Sequence, residues 1–190
     1  FMLNATSLAA TGTVADVVDL RGENRIVTSF GLQSLPTSKL CGVRALIETA
    51  GLTGQGLDSY AIGFRLAPML NAAGRMGHAR LAVELLTSTS ELRAMQIAEY
   101  LKGQNAKRQQ CERKMLKEAC KMVVERGLNH PDHKSIVLAA EGWHTGVLGI
   151  VASRLVDRFY RPTVMINASP SEEGAAQGSA RSIEGFNLLG

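Results

Sequence analysis

The chain has 190 residues, 45% hydrophobic and 20% charged, a globular balance with room for one or two small cores. Lys and Arg outnumber Asp and Glu by 21 to 17, a net charge of +4 that suits a polyanionic partner without requiring one. Aromatic residues make up only 5%, too few for a binder built chiefly on base stacking. No stretch nears the roughly 18 continuous apolar residues that span a bilayer.

The chain opens without an initiator Met inside an apolar run and stops at Leu188-Leu189-Gly190, where a helix begins to read, so both ends are expected to continue into something larger. The run up to Ala15, followed by Asp16 and Val17-Val18-Asp19-Leu20, reads as a buried strand with Asp16 at its C-terminal edge, where ligands bind in open α/β sheets. A short helix is predicted from Gly22 to Leu35. The spacing of Leu40, Val43, Leu46 and Ile47 predicts another, closed by Gly51. Asp58 is the N-cap of a helix through Phe64 and Leu66, and Asn71-Ala72-Ala73-Gly74-Arg75 reads as a tight turn. Leu81, Val83, Leu85 and Leu86 mark one more helix before Ser88-x-x-Glu91, a capping box.

That box introduces a helix from Ser90 to about Arg126, with Leu92, Met95, Leu101, Met115, Ala119 and Met122 as its apolar positions. Its some 37 residues would extend about 55 Å, a domain-bridging length, so a boundary is placed along it. After Gly127 the order is β-α-β: a strand over 136–140, a helix from Thr145 to Arg158 and a strand over 163–166. A further strand is expected between Ala175 and Ser182, and there is no internal repeat.

Gly178-Ser179-Ala180-Arg181-Ser182 sets two hydroxyls around a guanidinium among small residues, which is phosphate-binding chemistry; alone, such a segment is more often a solvated loop. Gly142-Trp143-His144-Thr145-Gly146 opens a helix after a buried strand, where backbone N–H groups favour an anion and His144 adds a donor. The alternative is that Gly146 and Gly149 permit close helix-to-strand packing while His144 caps. Arg75 stands beside Asn71 with Arg65 upstream, and Asp16 offers a hard oxygen to a divalent cation. His130-Pro131-Asp132-His133 lacks the neighbours of a zinc site, and Cys41, Cys111 and Cys120 form no CxxC pair, so reduced cysteines are expected. Absence of GxxxxGK[ST], GxSxG and HExxH removes support for nucleotide-driven motors, serine hydrolases and zinc proteases.

Taken in order, Gly12-Thr13-Val14-Ala15-Asp16, Gly63-Phe64-Arg65-Leu66-Ala67-Pro68, Asn71-Ala72-Ala73-Gly74-Arg75-Met76, the stretch from Gly142 to Arg154 and Gly178-Ser179-Ala180-Arg181-Ser182 resemble the RecJ family of single-stranded-DNA-specific exonucleases in the DHH/DHHA1 phosphoesterase superfamily. The resemblance implies an α/β fold: the end of a DHH catalytic domain over 1–35, a helical linking region with the long helix over 36–127, and a small mixed α/β DHHA1 substrate-binding domain over 128–190. It makes Asp16 the last metal-binding and catalytic Asp of a two-metal Mn2+ or Mg2+ centre whose other ligands would lie before Phe1. It has Ser179, Ser182 and Arg181, with Arg75 and Asn71, grip the 5′ end of single-stranded DNA, and His144 line the same cleft.

The resemblance further implies a cytoplasmic 5′-to-3′ exonuclease of DNA repair and recombination, inactive as this chain alone, with a single-stranded-DNA-binding protein or a helicase as partner. The alternatives are a phosphoesterase of short oligonucleotides or cyclic dinucleotides, or a non-catalytic nucleic-acid-binding module. Ala180 departs from the family's usual Gly, Met69 from a frequent Arg and Ser7 from an Asp; the Asp-His-His and Gly-Gly-His motifs are absent.

Overall fold

The structure is a computed structural model and describes residues 2–169 and 175–188; of the helix read at Leu188-Leu189-Gly190, positions 189 and 190 lie outside the described residues. The chain divides into two compact units, Phe1–Ala106 and Lys107–Gly190, so the boundary falls within the long helix. The architecture is mixed α/β, as expected, with every described strand in the second unit.

The first unit is helical from Met2 onward. Residues Met2–Ala15 form α1, not the strand that the apolar run predicted. Ser7, Ala10 and Thr11 are buried at i, i+3 and i+4, a helical face, and the hydroxyls of Thr6, Thr11 and Thr13 donate to carbonyls four residues back. Small side chains let α1 approach α2 (Gly22–Ser34) closely: a Cβ at Gly31 would lie 2.2 Å from the Ala10 Cβ and 2.8 Å from the Thr6 carbonyl oxygen. A tight turn over Leu35–Thr37 leads to α3 (Cys41–Thr49), which ends before Gly51 at φ +68°.

Asp58 caps the next helix as its type predicts, its carboxylate accepting from the Ala61 N–H at 2.7 Å. This helix, α4 (Ser59–Ala61), runs through a widened π-type turn at Ile62–Leu66 into α5 (Ala67–Arg75). Pro68, which removes a backbone donor, falls in the first turn of α5, where the wider turn before it absorbs the loss. Asn71-Ala72-Ala73-Gly74-Arg75 is therefore the end of a helix rather than a turn, because Ala72 and Ala73 are fully buried core residues. The chain reverses one step later, at Gly77, with φ +84°.

Helix α6 (Ala79–Thr87) packs on α3 at Gly42, where a Cβ would meet the Leu85 carbonyl oxygen at 1.8 Å. The cap of α7 (Glu91–Glu125) is Ser90, whose hydroxyl accepts from the Arg93 N–H, while Ser88 turns the chain just before it; the reading of Ser88 as the cap was two residues early. Ala94, Ile97, Ala98 and Leu101 of α7 close the first core against Leu46, Ile62 and Leu85, whereas Leu92, counted among the apolar positions, is 72% exposed.

The second unit matches its β-α-β prediction. Strand β1 (Ile136–Ala140) pairs in parallel with β2 (Thr163–Asn167), which pairs antiparallel with β3 (Gln177–Arg181). Helix α8 (Thr145–Phe159) lies against β2 and β3. The core joins Met115, Ala119 and Val123 of α7 to Ile136 and Leu138 of β1, Leu148, Val151 and Leu155 of α8, and Met165 of β2. The three cysteines are unpaired and half-buried.

The seat at Gly31 tests the helical assignment of α1. Gly31→Ala should destabilise the first unit by about 1–3 kcal/mol, although Ala is the better helix former, because its methyl group cannot enter the α1 contact. Denaturant unfolding checks it, and a neutral or stabilising effect would contradict the packing of α1 on α2.

Candidate metal position and phosphate clamp

In the first unit two of the polar candidates, Asp16 and Asn71, meet at one cavity, and Arg75 stands outside its lining. Asp16 follows the last turn of α1, exposed, and its N–H closes that turn onto the Gly12 carbonyl. Asp16 and Asn71 line the same cavity, of about 280 Å³, with Thr11, Gly12 and Leu70. A carboxylate at the C-terminal end of a helix faces the negative end of the helix dipole, an unfavourable place unless a cation sits there. Val17, next in the chain, holds φ +55° although it is β-branched and 90% exposed, so no packing compensates its strained backbone.

Helix α5 supplies the second wall. Asn71 and Arg75, four residues apart, share one exposed face. Arg65 serves a structural end instead: its guanidinium donates to the Ala50 carbonyl at the C-terminus of α3. The first unit thus places one carboxylate, one carboxamide and one arginine along adjoining helix ends.

In the second unit, β3 and α8 build the other group. Ser179 and Arg181 stand two apart on β3 and so project to one face of the strand. The Arg181 guanidinium folds back along the strand, Nη1 donating to the Ser179 hydroxyl at 3.3 Å and to the Ala180 carbonyl at 2.6 Å. It lies on α8 at Gly149, where an added Cβ would come within 2.7 Å of Nη2 and 2.9 Å of the Ser179 Oγ. Sequence reasoning saw Gly149 only as a packing residue; its role beneath the pair depends on a contact 32 positions away.

His144 is the N-cap of α8. Its Nδ1 accepts from the Gly146 N–H at 3.1 Å, so the neutral ring carries its proton on Nε2. Beside it, burial pushes the Cys111 thiol up, against hydrogen bonding from the His144 backbone and the charge of Lys114, which leaves that thiol a poor nucleophile. Ser182 is not joined to the Ser179–Arg181 pair: its hydroxyl donates to the Phe186 carbonyl. Ala180 of β3 pairs with Val164 of β2 and has no positive φ, so the departure from Gly costs no backbone strain. The His130–His133 loop is tied down by Arg161, which donates to the carbonyls of Asn129, His130 and His133.

A mixed α/β chain with one long helix, a cavity beside Asp16 and a serine-arginine pair on a small sheet has counterparts among known proteins. The single-stranded-DNA-specific exonuclease RecJ of Bacillus subtilis is 45% identical over 182 residues, covering 96% of this chain and 23% of its own length. RecJ of Escherichia coli is 37% identical over 185 residues, 95% of this chain and 31% of that protein. Among solved structures, RecJ of Thermus thermophilus in complex with Mg2+ superposes with a TM-score of 0.85 at 35% identity, over 98% of this chain and 28% of that one. Exonuclease RecJ bound to manganese gives 0.84 at 35% identity, over 98% and 44%.

No family profile matches the chain. The chain is homologous over nearly its whole length to a segment of RecJ, and it spans 23–31% of the length of these curated relatives.

The backbone at Val17 yields a test. Glycine adopts positive φ freely, and Val17 buries little, so Val17→Gly should raise stability by up to about 1 kcal/mol, the relief exceeding the entropy that glycine costs. Equilibrium unfolding gives the sign: a loss of 0.5–1 kcal/mol, the roughly ordinary cost of glycine, would mean that the position is unstrained.

Proposed function

We propose that this chain is the end-gripping portion of a single-stranded-DNA-specific exonuclease, which hydrolyses phosphodiester bonds from the 5′ end toward the 3′ end with divalent metals. In this reading residues 1–35 end a DHH catalytic domain, 36–127 form the helical linking region and 128–190 belong to a DHHA1 domain. DNA repair and recombination in the cytoplasm are its setting, single-stranded DNA with a 5′ end its substrate, and a single-stranded-DNA-binding protein or a helicase its partner. The observation that carries the proposal is the Ser179–Arg181 pair seated on Gly149. A guanidinium with a hydroxyl beside it matches a terminal phosphate, and a surface fixed by backbone and glycine gives position rather than sequence preference.

Asp16 and Asn71 suit a hard cation, both presenting oxygen. Among the described residues no three His, Cys, Asp or Glu side chains stand together, so this chain supplies one carboxylate to a Mn2+ or Mg2+ centre and not the whole of it. Such a centre, when bound, would supply activation of water and stabilisation of charge on the leaving oxygen. The residues of this chain hold the strand: Arg75 offers a cation one turn from Asn71, and His144 presents Nε2–H as a donor at the start of α8.

Binding of 5′-phosphorylated and 5′-hydroxyl oligonucleotides to the purified chain tests the clamp. The wild type should favour the phosphorylated end by roughly tenfold, since a charged hydrogen bond to phosphate contributes about 1.5–3 kcal/mol. Arg181→Ala should abolish that preference and Gly149→Ala reduce it by displacing the guanidinium, whereas Ala180→Gly should leave it intact. Equal weakening on both ends in Arg181→Ala would make Arg181 a general backbone contact and defeat the assignment. The chain alone should not degrade single-stranded DNA with Mn2+ or Mg2+. In the whole nuclease, Asp16→Ala should lower turnover by orders of magnitude with less effect on binding; unchanged turnover would remove Asp16 from the metal centre.

A further inference from the structure

Separate from the clamp, the second unit carries a cleft of about 440 Å³ between α7 and α8. Gln109, Glu112, Arg113 and Leu116 line it from one face of α7, at i, i+3, i+4 and i+7, and Ile150 and Arg154 from α8. Arg108 completes the wall, giving three arginines against one carboxylate, a net charge of +2.

That carboxylate is already committed. The Glu112 side chain is 8% exposed and accepts from Arg108 Nη1 at 2.7 Å and from Arg154 Nε. Because Arg154 is held through Nε alone, its two terminal nitrogens have no partner among the described residues, and its side chain is 56% exposed. Arg113 is exposed on the same cleft, and its guanidinium likewise has no partner among the described residues. A buried acid thus fixes one arginine in place without using its forked edge, and a second cation stands beside it. Guanidinium forks match the oxygens of phosphate, and Leu116 and Ile150 give an apolar wall for a sugar or the edge of a base.

We propose that the Arg113–Arg154 cleft is a second phosphate site, which holds an internal phosphodiester of a single nucleic-acid strand. It rests on the reading of the chain as a single-strand binder, but not on the 5′ clamp. Arg113 and Arg154 contact the phosphate, while Glu112 and Arg108 position Arg154. An internal phosphate is present whatever the end carries, so this site adds affinity that is blind to 5′ phosphorylation and sensitive to salt.

The test is fluorescence anisotropy of a labelled oligothymidylate, with 5′-phosphate or 5′-hydroxyl, across a salt series. Arg113→Ala should weaken both oligonucleotides alike, by roughly three- to tenfold at low salt, and reduce the slope of log K against log salt by about 0.7. Arg113→Lys should keep the slope while losing part of the affinity, because it keeps the charge and not the fork. Among the described residues Arg113 has no partner to lose, so its variants should melt with the wild type, and Arg154→Lys provides a second probe. Unchanged affinity and slope in Arg113→Glu, no binding of either oligonucleotide at low salt, or equally strong competition by polyglutamate would overturn the proposal. If the 5′ clamp is the part that fails, the wild type will show no preference between the two ends while the Arg113 effects persist.

Discussion

Helix α7 is the element on which both units depend. Its first half buries Ala94, Ile97, Ala98 and Leu101 in one core, and its second half buries Met115, Ala119 and Val123 in the other. Burying a Leu- or Met-sized side chain contributes about 1.5–3 kcal/mol, so each core draws several kcal/mol from one continuous helix. A break in α7 would remove a wall from both. Between the apolar stripes, the buried positions are polar: Gln104 and Glu112 take the place of core side chains. Glu112 is tolerated there because two arginines hydrogen-bond to it, and losing either would leave a poorly compensated buried charge.

The candidate groups stand where the fold accepts a local cost. Asp16 follows a helix C-terminus, an adverse site for an anion, and Val17 beside it holds a backbone that a β-branched residue rarely adopts. Gly149 leaves a gap in the surface of α8 that Arg181 and Ser179 occupy, so the guanidinium is placed by backbone, strand and helix together. If the proposed phosphate binds there, these contacts reduce the side-chain freedom that binding would cost.

The second unit was legible almost residue by residue. Strands β1 and β2 are short β-branched or apolar runs bounded by turn and loop residues, and α8 begins at Thr145, after Gly142 and its cap His144. The first unit was less so. A run of Ala, Thr, Leu and Val does not distinguish a buried strand from a buried helix by period alone, and the threonine hydroxyls that satisfy α1 from within leave no mark in the pattern. Asn71 and Gly74 carry turn chemistry, yet the full burial of Ala72 and Ala73 decides for helix. Asp16, Ser179, Arg181 and His144 were visible as candidates. The seat at Gly149 and the Glu112–Arg154 bond were not, since each joins residues distant in sequence through a tertiary contact.

The central claim is that Gly149, Ser179 and Arg181 form one surface that recognises a terminal phosphate. Its most direct measurement is a nuclear magnetic resonance titration of the 190-residue chain with matched oligonucleotides carrying a 5′-phosphate or a 5′-hydroxyl. The account predicts that the amide signals of Gly149, Ser179 and Arg181, and the Arg181 side-chain signal, shift together with the phosphorylated strand and stay nearly still with the other. Identical shifts with both strands at those residues, or a phosphate-specific response confined to other residues, would contradict it.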